Sequence, residues 1–164
     1  MPFKHSLCIL VLLSSLSSCM SENDKYASSF EEAVNKSKIP TNSLKAVTLI
    51  LPKSGCTGCI SSAEQFVKDN ISRYSDFLTV ILTDAVSIKV VKVKFTEIID
   101  LPNVIIDEEN HFYQAPLWSL YPTVIYWNDN SKIESIEYVS PNTPDAIFNL
   151  EQKLLELSQF NNSN

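Results

Sequence analysis

The stretch Ala46-Val47-Thr48-Leu49-Ile50-Leu51-Pro52-Lys53-Ser54-Gly55-Cys56-Thr57-Gly58-Cys59-Ile60 decides how the chain reads. Its first six residues are an apolar and β-branched run, the pattern of a strand covered on both faces. Pro52 to Gly55 close that run with turn-forming residues. Beyond it Cys59, Ile60, Ala63, Phe66 and Val67 recur at helical spacing, while the polar residues between them fall mainly elsewhere. The two cysteines are therefore expected where a buried strand turns into a helix. Unpaired N–H groups and the positive helix end stabilise a thiolate there, so Cys56 reads as the nucleophile and Cys59 as the resolving thiol. The chain has two glycines, Gly55 and Gly58, both in this segment. Lacking Cβ, they are expected to permit a tight turn and close approach of a substrate backbone. Two glycines so placed exclude the glycine-rich phosphate loops of nucleotide-binding folds.

Working outward, Phe77-Leu78-Thr79-Val80-Ile81-Leu82 reads as a second buried strand ending at Thr83-Asp84, which makes a βαβ unit. Residues 86–99 fit a helix (Ile88, Val91, Phe95) and a weakly alternating strand equally well. Asn103 to Asp107 reads as a short strand. Leu117-Trp118-Ser119-Leu120-Tyr121-Pro122 leads into a hairpin over 123–139 that turns at Asn128-Asp129-Asn130. Thr143-Pro144-Asp145 is expected to start a last helix with proline at its first position, and Ile147, Leu150, Leu154 and Leu157 supply its inner face.

The N-terminus carries a different signal. Lys4 and His5 precede the apolar run Leu7 to Leu13, too short for the roughly twenty residues that span a bilayer, and small residues follow. This is the pattern of an exported leader. Leu16-Ser17-Ser18-Cys19 resembles the bacterial lipobox, which implies loss of residues 1–18 and lipidation of Cys19. Residues 21–25 read as a mobile polar tether. Ser28-Ser29-Phe30-Glu31-Glu32 offers a capping box for a short helix ending before Pro40. The expected organisation is a leader over 1–18, a lipidated tether and N-terminal helix over 19–43, one folded domain over 44–160, and a polar tail over 161–164. A chain of 164 residues, 45% hydrophobic, supports one core. A formal charge of −6 gives no reason to expect nucleic acid as a partner.

Of four cysteines, Cys8 leaves with the leader and Cys19 takes the lipid, so Cys56 and Cys59 remain as thiols. Zinc normally takes three or four protein ligands, and beyond this pair the processed chain offers only His111 and carboxylates, so no metal is expected. Covalent haem needs histidine directly after the second cysteine, and Ile60 stands there. A CxxxC copper site fails on spacing. A structural disulfide across so small a loop constrains the unfolded chain little. Thiol–disulfide chemistry is the favoured reading, with no cofactor.

With the cysteine pair after a buried strand, Tyr121-Pro122-Thr123 opening a hairpin, and this order of elements, the chain resembles the thioredoxin-like superfamily. Within it the resemblance is to the membrane-tethered lipoprotein oxidoreductases of bacterial envelopes. It implies an α/β fold with a central mixed sheet flanked by helices, here with a short N-terminal helical extension. It further implies a cis Tyr121–Pro122 bond facing the cysteines, with Tyr121, Pro122 and Thr123 receiving an extended substrate peptide. Implied partners are protein or small-thiol disulfides, a membrane thiol-electron donor, and the membrane itself through the lipid.

Four residues depart from the family pattern. Gly55 stands where an aromatic residue usually precedes the first cysteine, Thr57-Gly58 replaces Gly-Pro, and Ile50 occupies the place of a buried acid. A base must then come from elsewhere. Glu97, Asp100, Glu108 and His111 read as surface or packing residues. Lys53 reads as a solvated loop lysine, or else adds positive potential near the thiols. A peroxidase-like site would need an arginine beside the thiolate, and Arg73 lies beyond the helix. Two functions remain open: a reductase acting on envelope disulfides, and a binding lipoprotein whose CxxC is redox-inert.

Overall fold

The computed structural model describes residues 21–40, 43–84, 87–128 and 132–161. The elements run α1 (Glu22–Lys36), β1 (Val47–Pro52), α2 (Thr57–Asn70), β2 (Leu78–Thr83), α3 (Ile88–Lys94), β3 (Val104–Ile106), a 3-10 turn (His111–Tyr113), β4 (Thr123–Trp127), β5 (Ile133–Tyr138) and α4 (Ala146–Asn161). They form one five-stranded mixed sheet in the order β3-β2-β1-β4-β5. β1 lies centrally, parallel to β2 with Val47 opposite Leu78, and antiparallel to β4 with Val47 opposite Tyr126. The α/β architecture with a mixed sheet flanked by helices is the one expected.

Strand alternation sorts side chains into two cores. Val47, Leu49 and Leu51 of β1 face the side covered by α2 and α4, together with Leu78, Val80 and Leu82 of β2 and Val124 and Tyr126 of β4. Ile50, Ile81 and Ile125 face the opposite side, where Phe30, Ala33 and Val34 of α1 and Phe112 cover them. Every residue of β1 and β2 is buried, as their unbroken apolar runs predict. The buried threonines are paired: Thr79 donates to Ser43 O at 2.9 Å, and Thr48 accepts from Trp127 Nε1 at 3.0 Å. Neither leaves an orphaned hydroxyl in the core.

Several expectations change. The polar tether over 21–25 is the first turn of α1, not a mobile lead-in. Ser21 is the N-cap, and its hydroxyl accepts the Asp24 N–H at 3.1 Å while the Asp24 carboxylate accepts the Ser21 N–H at 3.2 Å. That reciprocal box starts the helix before Ser28. Nor is α1 a mere appendage. Phe30, 2% exposed, packs its ring 5.3 Å from Phe112 and 5.0 Å from Trp127, so α1 completes the core on one face of the sheet. Replacing Phe30 by alanine is expected to cost about 3–5 kcal/mol, read as a fall in the urea midpoint. A surface appendage would show almost no change.

Residues 88–94, ambiguous in sequence, are helical because Val91, with Phe95 and Ile98 just beyond, reaches the core at 3.6-residue spacing. The hairpin forms as expected, with Thr123 opposite Tyr138. Its expected turn falls partly on residues 129–131, outside the described segments. α4 begins at Ala146, two residues past Pro144, so the proline precedes the helix and does not open it. The Thr143 hydroxyl turns back to the Tyr138 carbonyl and the Ser140 N–H instead of capping it. Cys19 and the leader also lie outside the described residues. Among the described residues no helix is long and apolar enough to cross a membrane.

Candidate functional site: the Cys56–Cys59 pair

Cys56 and Cys59 are joined as a disulfide, with their Cα atoms 5.3 Å apart. Both are half-buried, with Thr57 and Gly58 between them exposed. Cys56 is the N-cap of α2, in extended conformation, and its own carbonyl accepts the first helical bond, from the Ile60 N–H at 2.9 Å. No side chain caps this end and no acid lies in the first turn. A helix leaves its first N–H groups without intrahelical partners, and an N-cap side chain is the group placed to meet those two and three residues on. Once the disulfide is reduced, a Cys56 thiolate would occupy that place, which lowers its pKa relative to Cys59.

The loop before β4 forms the opposite wall. The Cys56 N–H donates to the Leu120 carbonyl at 2.9 Å, which brings the Leu120 backbone against the first cysteine. Gly55 makes this contact possible. Its φ is 139°, and a Cβ built there would lie 2.2 Å from the Leu120 oxygen. The second glycine does not share that role, since a Cβ on Gly58 would meet nothing within 4 Å. Gly58→Ala is expected to be neutral or to stabilise by up to about 1 kcal/mol through helix propensity, read as an unchanged or slightly raised melting midpoint.

The expected cis bond at Tyr121–Pro122 is corrected: the cis peptide among the described residues is Ala115–Pro116. Trans is the lower-energy state of an ordinary X–Pro bond, and Pro122 sits in that state where its carbonyl accepts the Val139 N–H at 2.9 Å beside the hairpin. Pro122 and Thr123 are buried and Tyr121 is half-buried. The Tyr121 N–H donates to Ser119 Oγ at 3.0 Å, and its carbonyl accepts the Thr123 hydroxyl at 3.3 Å. The exposed part of this wall is Trp118 and Leu120, at 51% and 46%. The Trp118 ring lies 6.2 Å from that of Tyr113. The loop whose Leu120 carbonyl meets Cys56 thus carries an exposed aromatic residue, whereas the residue before Cys56 is glycine.

Glu97, Asp100 and Glu108 are exposed, and Ile50 lies in the core on the α1 side. His111 is half-buried and pairs with Glu109 at 3.0 Å. Lys53 is half-buried. Its ammonium pKa is held below the usual value, first by burial and then by the nearby charge of Lys94, with Glu64 opposing. Glu64 is a buried carboxylate on α2 paired to Lys94, and no feature of its sequence surroundings marks it as charged core.

A second polar group that sequence reasoning passed over lies behind the loop. The Ser54 N–H donates to Asp84 Oδ2 at 3.0 Å, the Ser54 hydroxyl bonds the same oxygen, and Tyr113 Oη is 3.4 Å from Ser54 Oγ. Asp107, 2% exposed, accepts from the Thr83 hydroxyl at 2.7 Å and from the N–H groups of His111 at 2.9 Å and Phe112 at 2.8 Å. It thereby holds the 3-10 turn that carries Tyr113. The one signal for either acid is its place at the end of a strand, too common to single it out. Among the described residues no group of three or more His, Cys, Asp or Glu side chains could hold a metal ion.

No protein-family model matches the chain. No curated protein matches it. Among solved structures it is similar to a solution structure of a candidate thioredoxin from Neisseria meningitidis, at 19% identity over 71% of this chain and 79% of that one, with a TM-score of 0.47. On its own strand order and helix placement, this chain has an α/β fold of thioredoxin-like type, with an adjacent cysteine pair at the turn from first strand to helix.

Proposed function

We propose that the chain performs thiol–disulfide exchange through Cys56 and Cys59, acting as a reductase of protein or small-thiol disulfides in a bacterial envelope, where Cys19 tethers it through lipid. The observation that carries the chemistry is a half-exposed disulfide whose first sulfur belongs to a helix N-cap with no competing cap. The direction of transfer and the lipid tether rest on the family resemblance and on the leader pattern.

In the reduced protein the Cys56 thiolate attacks one sulfur of a substrate disulfide. A Cys56–substrate disulfide forms and the other substrate thiolate leaves. The Cys59 thiolate then attacks the Cys56 sulfur, which restores the internal disulfide and releases the second substrate thiolate. Two electrons pass to the substrate, and a donor dithiol must return them. The chain's own residues hold Cys56 at the helix end, bring the Leu120 carbonyl against its backbone, and leave Trp118 and Leu120 exposed on that same loop.

The test is catalytic turnover. With dithiothreitol as donor, the protein should accelerate reduction of a protein disulfide such as insulin, and a Cys56→Ser, Cys59→Ser double variant should not. Equal rates for the two would remove the proposal. For the tether, the full chain should partition with membranes in a bacterial host and Cys19→Ala should release it. A redox-inert scaffold is the competing reading, favoured by Ile50 at the place of the acid and by the internal bonding of the Tyr121 backbone.

A further inference from the structure

Thiol exchange as proposed above makes no use of Asp84, yet this residue is held in an unusual state. It follows β2 with a φ of 57°, in the left-handed region, which residues with a Cβ occupy at some cost. What offsets that cost is the pair of bonds its Oδ2 receives from the Ser54 N–H and hydroxyl. One residue earlier on each strand, the Lys53 N–H donates to the Thr83 carbonyl at 3.1 Å. Residues 53 and 54 therefore hang from residues 83 and 84 by three bonds. Immediately beyond lies Gly55, whose φ of 139° turns the chain so that the Cys56 N–H reaches Leu120. The segment bearing the nucleophile is thus pinned from two sides, by the end of β2 and by the loop before β4. A second brace comes from Tyr113, placed at Ser54 by the turn that Asp107 holds.

We infer that Asp84 is a positioning residue for exchange at Cys56: its carboxylate fixes Ser54, and through Ser54 the backbone turn at Gly55 that aims the sulfur at an incoming disulfide. The inference rests on the thiol-exchange reading of Cys56–Cys59. Ser54 and Gly55 are exposed and Asp84 half-buried, so the latch anchors a surface turn and not the core. Losing it should move the sulfur far more than it moves the melting midpoint.

The test compares the reduced wild-type chain with Asp84→Ala and Asp84→Asn in pseudo-first-order reaction with an aromatic disulfide, 5,5′-dithiobis(2-nitrobenzoic acid), at a pH where Cys56 is fully ionised. Asp84→Ala is expected to react about tenfold more slowly, the scale of loss that misorienting a reacting group brings. Asp84→Asn keeps an oxygen for the Ser54 N–H and is expected to recover most of the rate. Asn also matches Asp in size, so Asp84→Leu, which fills the space without an acceptor oxygen, is the control for volume and is expected to stay as slow as the alanine variant. If Asp84→Ala does not fold, Ser54→Ala, which removes the hydroxyl bond alone, should lose roughly threefold. Wild-type rates in Asp84→Ala, or in Ser54→Ala where that variant is used, overturn the role of Asp84, as does an Asp84→Asn variant as slow as the alanine one. A wild-type Cys56 that reacts no faster than free cysteine at a mildly acid pH, where free cysteine is almost wholly protonated, overturns the exchange reading itself, a different result from a fast wild type with equally fast variants.

Discussion

Removing Cys59 alone is expected to convert the protein from a catalyst into a trap. In Cys59→Ala the Cys56 thiolate keeps its place at the N-cap of α2, so its attack on a disulfide proceeds, but no neighbouring thiol can displace the product. The substrate should stay joined to Cys56 through a bond that dithiothreitol cleaves. Catalytic turnover should fall to background, while single-turnover attack stays close to the wild-type rate. Cys56→Ala, which leaves only the half-buried sulfur beside the core, should neither turn over nor trap. Non-reducing gels of the two variants expressed in a bacterial envelope separate the cases: adducts on Cys59→Ala alone support the assigned roles, and equal adducts on both reverse or abolish them.

Gly55→Ala is the substitution with the largest expected effect outside the sulfurs. Two penalties coincide there. An alanine at φ 139° occupies a backbone region that is almost exclusive to glycine, at a cost of about 1–3 kcal/mol. Its Cβ would also stand 2.2 Å from the Leu120 oxygen and 2.9 Å from the Leu120 carbonyl carbon, both of them backbone atoms with no rotamer to yield. Relief requires the two loops to part, which breaks the bond from the Cys56 N–H to Leu120. The melting midpoint should drop by roughly 10 °C, and the exchange rate by more than tenfold even well below that midpoint. Gly58→Ala provides the matched control, three residues on and on the open side of the pair. Equal and small effects at both glycines would mean that the cysteine loop is not wedged against residue 120.

The contrast between the glycines shows what a sequence can carry. Both satisfy the general argument that a residue without Cβ suits a tight reactive loop. Only the position of residue 120, far along the chain, distinguishes them. The strands β1 and β2, the inner face of α2 and the hairpin were legible because each is sandwiched or half-covered, and that environment writes itself into local periodicity. The start of α1 was not, because Ser21 and Ser28 each precede an acid at capping distance. What selects Ser21 is that Tyr26, as well as Phe30, Ala33 and Val34, is buried. In α3, Val90 and Val93 face outward, and their β-branched side chains imitate a strand. The isomers at Pro116 and Pro122 leave no local trace in composition. Asp84 acts through Ser54, 30 residues away, and Asp107 ties its local turn to Thr83, 24 residues away, so these links become visible only when β2 has brought the chain together.

Catalysis at Cys56 requires a disulfide that is exchangeable and not merely present. Its reduction potential, measured by equilibrating the purified protein in glutathione buffers and scoring free thiols by alkylation, tests this directly. A value above about −300 mV, within the span of exchange-active pairs, is the predicted result. A value below that limit, with the pair still oxidised under strongly reducing buffer, would contradict the account and leave a thioredoxin-like scaffold closed by an inert link.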